Sequence, residues 1–247
     1  MSIASIAPGV SSLSEREQQA VQAAAVWLLD LQNRDGGWPT FCRGWGTLPF
    51  DRSSSDLTAH TLRALHAWKC RVDSISPELR RRTDTATEKA IAFLKRKQSA
   101  DGTWLPLWFG NQWNENDENP LYGTAKVVLA MRETGHGDES WVSRGIDWLL
   151  KNQNTDGTWS AARGLPGSVE ETSLAVEALA GIPAAEPAVK SAADWLSVRI
   201  HDGGVSEASP IGFYFAKLWY FERLYPIIFA ASALRRAAQA AASSRSS

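Results

Sequence analysis

The sequence predicts an all-α protein made of antiparallel helix hairpins. One observation is a seven-residue unit, beginning with Gln and ending in Asp-Gly-Gly-Trp or Asp-Gly-Thr-Trp, with copies at Gln32–Trp38, Gln98–Trp104 and Gln153–Trp159 and a degenerate fourth at His201–Val205. Each copy follows a segment that has an apolar helical pattern. No segment shows sustained period-two alternation, the pattern of a half-buried strand. Long-period repetition of this kind is typical of stacked helical units.

The chemistry of the repeat suits the end of a helix. Glycine readily adopts the left-handed conformation that often terminates a helix. Tryptophan buries a large ring whose indole N–H needs an acceptor. The glutamine amide can reach exposed backbone groups at helix ends. We therefore expect the Gln and Trp side chains to be structural and to attach one helix hairpin to the next.

The helices follow in order from these signals. Ser14 and Glu17 form a capping box at the start of the first helix, and the second helix begins after Ser54 or Ser55. About nine helices are predicted, over residues 15–32, 55–69, 83–98, 122–133, 139–153, 169–180, 186–200, 213–223 and a last stretch after Pro226. We expect a disordered lead over 1–13, one α/α domain over 14–241 and a disordered tail over 242–247.

Composition excludes several functional classes. The formal net charge is −1, and Lys and Arg form no block longer than three residues, the length of Arg80–Arg82, which argues against nucleic-acid binding. Two cysteines and four histidines are too few and too scattered to predict a disulfide scaffold or a metal site, and we expect no cofactor. Without a signal peptide or a long apolar run, the expected location is cytoplasmic.

The pair Asp56 and His60 is a candidate for proton chemistry. The two residues are four apart at a predicted helix start, so they share one face of the helix. An acidic residue in the first turn is also favourable simply because of the helix dipole. In the functional alternative, His60 lies beside an acid and tunes its proton affinity.

Two aromatic-rich segments are candidates for ligand contact. Residues 104–113 carry four large aromatic side chains on a predicted loop, and these either pack over helix ends or line a cavity. Residues 213–225 carry seven aromatic side chains in thirteen positions. Rings that wall a dry pocket stabilise cations through their π faces, whereas anchoring at a membrane interface is the competing interpretation.

In series, these segments resemble a known family, the class II triterpene cyclases that include squalene–hopene and oxidosqualene cyclases. The Gln…Asp-Gly-x-Trp units are similar to the QW motifs of that family. Segments 55–60, 102–124 and 212–226 resemble its Ser-x-Asp-Val-Thr-Ala-His, Gly-Ser-Trp…Leu-Tyr-Gly-Thr and Asp-Phe-Tyr…Phe-Pro segments. The resemblance covers nearly all of residues 15–240 and implies part of an α/α barrel, left incomplete by the small number of helices.

The resemblance also implies roles for individual residues. Asp56 and His60 match residues that surround the catalytic acid, with His60 hydrogen-bonded to it. Trp108 and Tyr122 match aromatic residues of the cyclisation cavity. Counting back from Pro226, two cavity tyrosines fall on Leu218 and Phe221, and the further substrate-binding candidates are Phe213, Tyr214 and Phe221.

The family's Asp-x-Asp-Asp acid motif does not occur in the 247 residues. We therefore predict a component of a class II terpene cyclase that cyclises squalene or a related polyprenyl substrate, with the acid supplied by a second subunit. A homodimer and peripheral contact with the inner membrane face are further expectations.

Three alternatives remain open at this stage. The chain is self-sufficient with Asp51 or Asp56 as its acid; it is a non-catalytic α/α module that binds an isoprenoid or a protein; or it is a prenyltransferase β-subunit. The last alternative requires a zinc site with a Cys/His set that this sequence does not supply.

Overall fold

The computed structural model describes residues 14–44, 48, 50–72, 75–213 and 218–244. Eight α-helices lie in this part of the chain, which confirms the predicted all-α class. They are α1 (Glu15–Leu31), α2 (Ser55–Arg71), α3 (Pro77–Lys97), α4 (Pro120–Glu133), α5 (Ser140–Lys151), α6 (Val169–Leu179), α7 (Glu186–His201) and α8 (Tyr225–Ser244). A two-stranded antiparallel hairpin, β1 (Pro210–Phe213) and β2 (Leu218–Phe221), precedes α8.

The described chain divides into two compact units. The first contains residues up to Gln98 together with Ala130–Gly137, and α1, α2 and α3 pack against one another within it. The second contains Ser99–Leu129 and the residues from Asp138 onward, and there α6 packs against both α7 and α8. No helix in the described ranges is long and apolar enough to cross a bilayer.

Each Gln-to-Trp repeat folds into the same tight corner. In the third copy, the Asn154 N–H donates to the Thr158 carbonyl at 2.9 Å, and Gly157 has φ +87°. The first and second copies repeat this bond and the left-handed glycine at Gly36 (φ 93°) and Gly102 (φ 95°). Glycine is favoured at Gly157 because its φ is left-handed, and an added Cβ, 2.4 Å from Ser191 Oγ, would also require that serine side chain to move.

The glutamines attach neighbouring helices to these corners, as predicted. Gln153 Nε2 donates to the carbonyls of Gly157 and Ala188, both at 3.0 Å, and Ala188 lies in α7. Gln32 makes the equivalent bonds to Gly36 at 2.8 Å and to Ala86 of α3 at 2.9 Å. Their structural role is therefore confirmed for the first and third copies.

A buried threonine fixes the helix that follows each corner. The backbone N–H of Trp38, Trp104 and Trp159 donates to the hydroxyl of Thr58, Thr124 and Thr172, at 3.0, 3.1 and 3.0 Å. These threonines are fully buried in the first turns of α2, α4 and α6. Residues two before and two after each threonine are four apart and share a helix face. We call them the facing positions: Asp56 and His60, Tyr122 and Lys126, Glu170 and Leu174.

The helix predicted over 213–223 is wrong. Pro210 pairs with Phe221 and Phe213 with Leu218 across the hairpin, and 214–217 lie outside the described residues. Large aromatic side chains lose rotamer freedom in a helix and pack well on a strand, so this composition favours the hairpin. A Cβ on Gly212 would lie 1.9 Å from the Leu218 carbonyl oxygen, so glycine permits the close strand approach.

Some predicted boundaries also move. Helix α3 begins at Pro77 and not at 83, because the Ser76 hydroxyl accepts from the Leu79 N–H and proline is favourable at the first helical position. The block Arg80–Arg82 consequently lies within the helix. The capping box of Ser14 and Glu17 is confirmed. Helix α8 continues to Ser244, three residues into the predicted tail, while 1–13 and 245–247 lie outside the described residues, so the predicted lead and the last three residues of the tail stay predictions.

The buried corner predicts a large cost for a small change. Trp159 is fully buried and its indole N–H donates to the Leu149 carbonyl at 2.8 Å. Trp159→Phe should lower the free energy of unfolding by about 2 kcal/mol, because it removes this buried hydrogen bond and leaves a void in the core. Urea unfolding measures the change. Trp113→Phe is the control, since Trp113 is 58% exposed, and equal losses in both variants would contradict this account.

Candidate functional site

The first unit contains the predicted pair Asp56 and His60 on α2. The Asp56 carboxylate is 1% exposed and accepts a hydrogen bond from the Ser54 hydroxyl through Oδ1. Thr58, between the two residues, fixes the start of the helix because its hydroxyl accepts a hydrogen bond from the Trp38 N–H. His60 is half-buried on the face it shares with Asp56. The pair is therefore held on an anchored helix turn, and its role in proton chemistry stays a prediction.

The second unit contains a cavity of about 90 Å³ with aromatic walls. Phe109 and Tyr122 stack with ring centroids 4.5 Å apart, and Tyr225 and Phe229 stack at 5.3 Å. Trp113 adds a further ring. These side chains come from the loop before α4, from α4 and from α8. A chamber of this kind offers negative π faces to positive charge.

The ammonium group of Lys126 makes cation–π contacts with two of these rings. Lys126 Nζ lies 5.4 Å from the centroid of Tyr122 and 5.1 Å from that of Phe229. Its side chain belongs to a residue only 6% exposed, and it sits one helix turn after Tyr122. Cation–π attraction is strongest where water is excluded. The rings are thus arranged to hold a cation next to the cavity.

Glu171 lies in the cavity wall within a dense hydrogen-bond network. Its Oε1 accepts from Asn111 Nδ2 at 2.8 Å and from Asn119 Nδ2 at 2.7 Å, and its Oε2 accepts from the Ser168 hydroxyl at 3.0 Å. Burial raises the pKa of Glu171 above its ordinary value, and these hydrogen bonds, that of Asn111 foremost, offset part of the increase. The carboxyl group is therefore held in place by three side chains and binds its proton more tightly than an ordinary glutamate does.

Glu170 also lines the cavity, but only half of its carboxylate is satisfied. The residue is 4% exposed, and Oε1 accepts from the Ser209 N–H at 2.8 Å. Oε2 is buried and has no hydrogen-bond partner among the described residues. Buried polar atoms are nearly always paired. Because Oε2 is buried, this unpaired acceptor lowers stability by an amount that no bond among the described residues offsets.

The structure brings only some of the predicted site residues together. Tyr122 lines the cavity, while Trp108, in the same unit, is half-buried and does not line it. Phe221 is 63% exposed on β2. Phe213 is the last residue of strand β1, and Tyr214 lies outside the described residues. The substrate-binding roles of these residues stay predictions.

Sequence reasoning missed Glu170, Glu171, Lys126 and the ring of Phe229, whereas Tyr225 belongs to the aromatic segment 213–225 that it had proposed for ligand contact. Ser168 and Glu171 form the pattern of a helix cap. That pattern explains Glu171 as a structural residue and gives no indication that it also lines a cavity. Aligning the repeats on Thr58, Thr124 and Thr172 would have revealed the first and third of these residues, since both occupy facing positions.

The helix repeats define an all-α repeat domain, and comparison with known proteins gives its family. The family described as "Squalene-hopene cyclase C-terminal domain" matches residues 15–164, and the chain belongs to that family. The resemblance inferred from the sequence is therefore confirmed.

Individual relatives agree with this assignment. A terpene cyclase–glycosyl transferase fusion protein of Humicola fuscoatra is 31% identical over 210 residues, 73% of this chain and 15% of the relative. A drimenyl diphosphate synthase of Streptomyces showdoensis is 33% identical over 199 residues, 77% of this chain and 32% of the relative. The chain thus spans less than a third of the length of these curated relatives.

A solved structure shows that the fold is shared. The ent-copalyl diphosphate synthase from Streptomyces platensis matches 95% of this chain and 42% of its own, with a TM-score of 0.60 at 24% identity. The predicted fold class, helix hairpins of the α/α type, is confirmed by this similarity.

The raised pKa of Glu171 predicts a pH-dependent stability. The folded state binds this proton more tightly than the unfolded state, so the contribution is complete below the ordinary value of 4.5 and is lost as pH rises toward the folded pKa. The Glu171→Gln variant lacks this titratable carboxyl group, so it makes no such pH-dependent contribution. The free energy of unfolding of the variant relative to the parent should therefore rise with pH above 4.5.

Urea titrations at several pH values between about 4.5 and 8 measure that difference. Glu115→Gln is the control, because Glu115 is exposed in the loop before α4, and its difference from the parent should stay flat. A difference for Glu171→Gln that falls with pH would contradict the assignment.

Proposed function

We propose that this chain forms part of a class II terpene cyclase that closes rings in a polyprenyl substrate. The cavity with four stacked aromatic rings, in the second unit of a chain from the squalene-hopene cyclase C-terminal family, carries the proposal. A proton added to a terminal alkene carbon leaves a tertiary carbocation, which neighbouring double bonds attack in turn. Aromatic faces in a dry site stabilise such cations as they develop.

The initiating acid comes from an Asp-x-Asp-Asp segment outside this sequence. His60 then hydrogen-bonds to that acid and sets its orientation and proton affinity, while Asp56 and Ser54 hold the helix turn that carries His60. The last carbocation loses a proton or captures water. The substrate is squalene or a linear polyprenyl diphosphate, since relatives of this chain include a squalene–hopene cyclase and a drimenyl diphosphate synthase.

Additional polypeptide completes the chamber. The cavity of about 90 Å³ is smaller than the ~300–1,000 Å³ usual for ligand sites, so it accommodates one end of a polyprenyl chain at most. Leu224, Ile227 and Ile228 are 64%, 44% and 42% exposed beside the cavity residue Tyr225. An apolar surface next to an undersized cavity supports contact with a second subunit, a second copy of this chain or the surface of the inner membrane.

The second candidate function is a non-catalytic module that binds an isoprenoid. The small cavity and the missing Asp-x-Asp-Asp motif favour it. In that case, ring faces and apolar walls hold the ligand without any proton donor.

Reconstitution tests the proposal. The chain is incubated with squalene, farnesyl diphosphate or geranylgeranyl diphosphate, alone and with a polypeptide that carries Asp-x-Asp-Asp, and products are measured by gas chromatography and mass spectrometry. Cyclic products should form only with the second polypeptide. His60→Ala should reduce the rate by ~10²-fold or more, as loss of an acid–base positioning group does.

His66→Ala is the matched control, because His66 is exposed on the same helix and should leave the rate unchanged. Full activity of His60→Ala in the complex would contradict its role. Tight binding of labelled squalene with no product under any condition would favour the non-catalytic module instead.

A further inference from the structure

The first unit carries a concentration of positive charge that ring closure does not use. Helix α3 has seven basic and three acidic residues, although the formal net charge of the whole chain is −1. Beside this helix lies a groove of about 610 Å³, formed by α3, the end of α1 and the chain that follows α1. It shares no residue with the aromatic cavity or with the pair Asp56 and His60. The groove is therefore a separate candidate for ligand binding.

The lining of the groove is polar and mostly basic. Among the described residues that line it, only Leu29 and Ala86 are apolar, so the groove does not suit an isoprenoid chain. Like charges gathered around a concave surface raise the local concentration of ions of the opposite sign. One acidic residue, Glu78, lines the groove together with five basic residues, Arg34, Arg43, Arg81, Arg82 and Lys89.

We infer that this groove binds a compact anion that carries two or more phosphoryl groups. Four of the five cations are arginines, whose planar guanidinium groups donate paired hydrogen bonds to phosphate oxygens. They come from the first corner, the loop after it and α3, and so approach a ligand from different directions. A tetrahedral phosphoryl group offers oxygens in several directions, whereas a carboxylate offers two in one plane. A volume of about 610 Å³ also lies within the ~300–1,000 Å³ usual for ligand sites.

Three of the five cations are available to such a ligand. Arg34, Arg81 and Lys89 are exposed, and the charged group of none of them is hydrogen-bonded or ion-paired within the described part of the chain. Arg81, Thr85 and Lys89 follow one another at intervals of four residues, so they share one face of α3. Their positive charges repel one another, and an anion bound between them relieves this repulsion.

The other two arginines are held in place by Asp30. Its carboxylate is ion-paired with Arg82, and its backbone carbonyl accepts a hydrogen bond from Arg43 Nη1 at 3.3 Å. Asp30 itself does not line the groove. The first repeat fixes the position of α1 against α3, since Gln32 Nε2 donates to the Ala86 carbonyl at 2.9 Å. Side chains that are already ordered lose less freedom when a ligand binds, which favours binding here.

Binding of inorganic triphosphate to the full chain tests the inference. Isothermal titration calorimetry, at an ionic strength of about 0.15 M, compares triphosphate with citrate, an anion of several carboxylates. Triphosphate should bind about tenfold more tightly than citrate, because its oxygens match the arginines better. Arg81→Gln combined with Lys89→Gln should lower the affinity for triphosphate about tenfold or more, because two of the unpaired cations are lost.

Arg80→Gln combined with Lys95→Gln is the matched control. It removes the same charge from the same helix, at exposed positions that do not line the groove. The affinity for triphosphate should therefore stay within about twofold of the parent value, since salt screens the more distant charges. Glutamine is a good helix former, and circular dichroism verifies that both double variants are folded.

Vesicles distinguish the two sources of such phosphoryl groups. The chain is sedimented with vesicles of phosphatidylcholine, with and without a phosphatidylinositol bisphosphate. Sedimentation with the second preparation alone, reversed by triphosphate, would assign the groove to a lipid headgroup. Binding of triphosphate without sedimentation would assign it to a free anion. Either result supports the inference, provided that the Arg81 and Lys89 double variant loses the binding.

Three results would overturn the inference. They are the absence of triphosphate binding to the folded parent, equal affinities for triphosphate and citrate, and equal losses of affinity in the two double variants. The last result would show that the charge of α3 as a whole, and not the groove, attracts the anion. Because no polyprenyl substrate or second polypeptide is present, the outcome is independent of the cyclisation assay.

Discussion

One hydrogen bond organises each repeat, from the backbone N–H of the corner tryptophan to a buried threonine hydroxyl. It occurs at Trp38, Trp104 and Trp159 with lengths of 3.0–3.1 Å. The bond satisfies a donor that has left the preceding helix and fixes where the next helix begins. Because the threonine is inside the first turns, it also sets which side chains of that helix share a face. The cavity residues Tyr122 and Glu170 obtain their positions in this way.

The corner itself depends on glycine and glutamine. A left-handed glycine turns the chain sharply enough to return the tryptophan toward the helix it has just left, where the indole N–H meets a carbonyl at Leu28 or Leu149. The glutamine then bonds the corner to a neighbouring helix, α3 in the first unit and α7 in the second. The first and third repeats thus each join three helices of their own unit through side chain–backbone bonds.

Most of this scaffold was predictable from the sequence, and most of the cavity was not. Helix ends are governed by local signals such as the capping box of Ser14 and the Asp-Gly pairs, so seven of the eight helix starts were located within about two residues, while α3 begins six residues before its predicted start. The hairpin before α8 was missed because its aromatic composition, which favours a strand, was assigned to a helix, and the close approach of the two strands at Gly212 is visible only in the folded chain. Glu170 and Lys126 gain their chemical meaning only from burial and from partners distant in sequence, which no local pattern records.

The threonine anchor separates architecture from chemistry. Because the anchoring bond uses a backbone N–H and a hydroxyl, it places no demand on the side chains two residues to either side. An acid with a histidine, a tyrosine with a lysine and an acid with a leucine occupy these sites in three successive turns of the same shape. The side chains at these positions can therefore be exchanged one at a time without disturbing the bond that fixes the start of the helix.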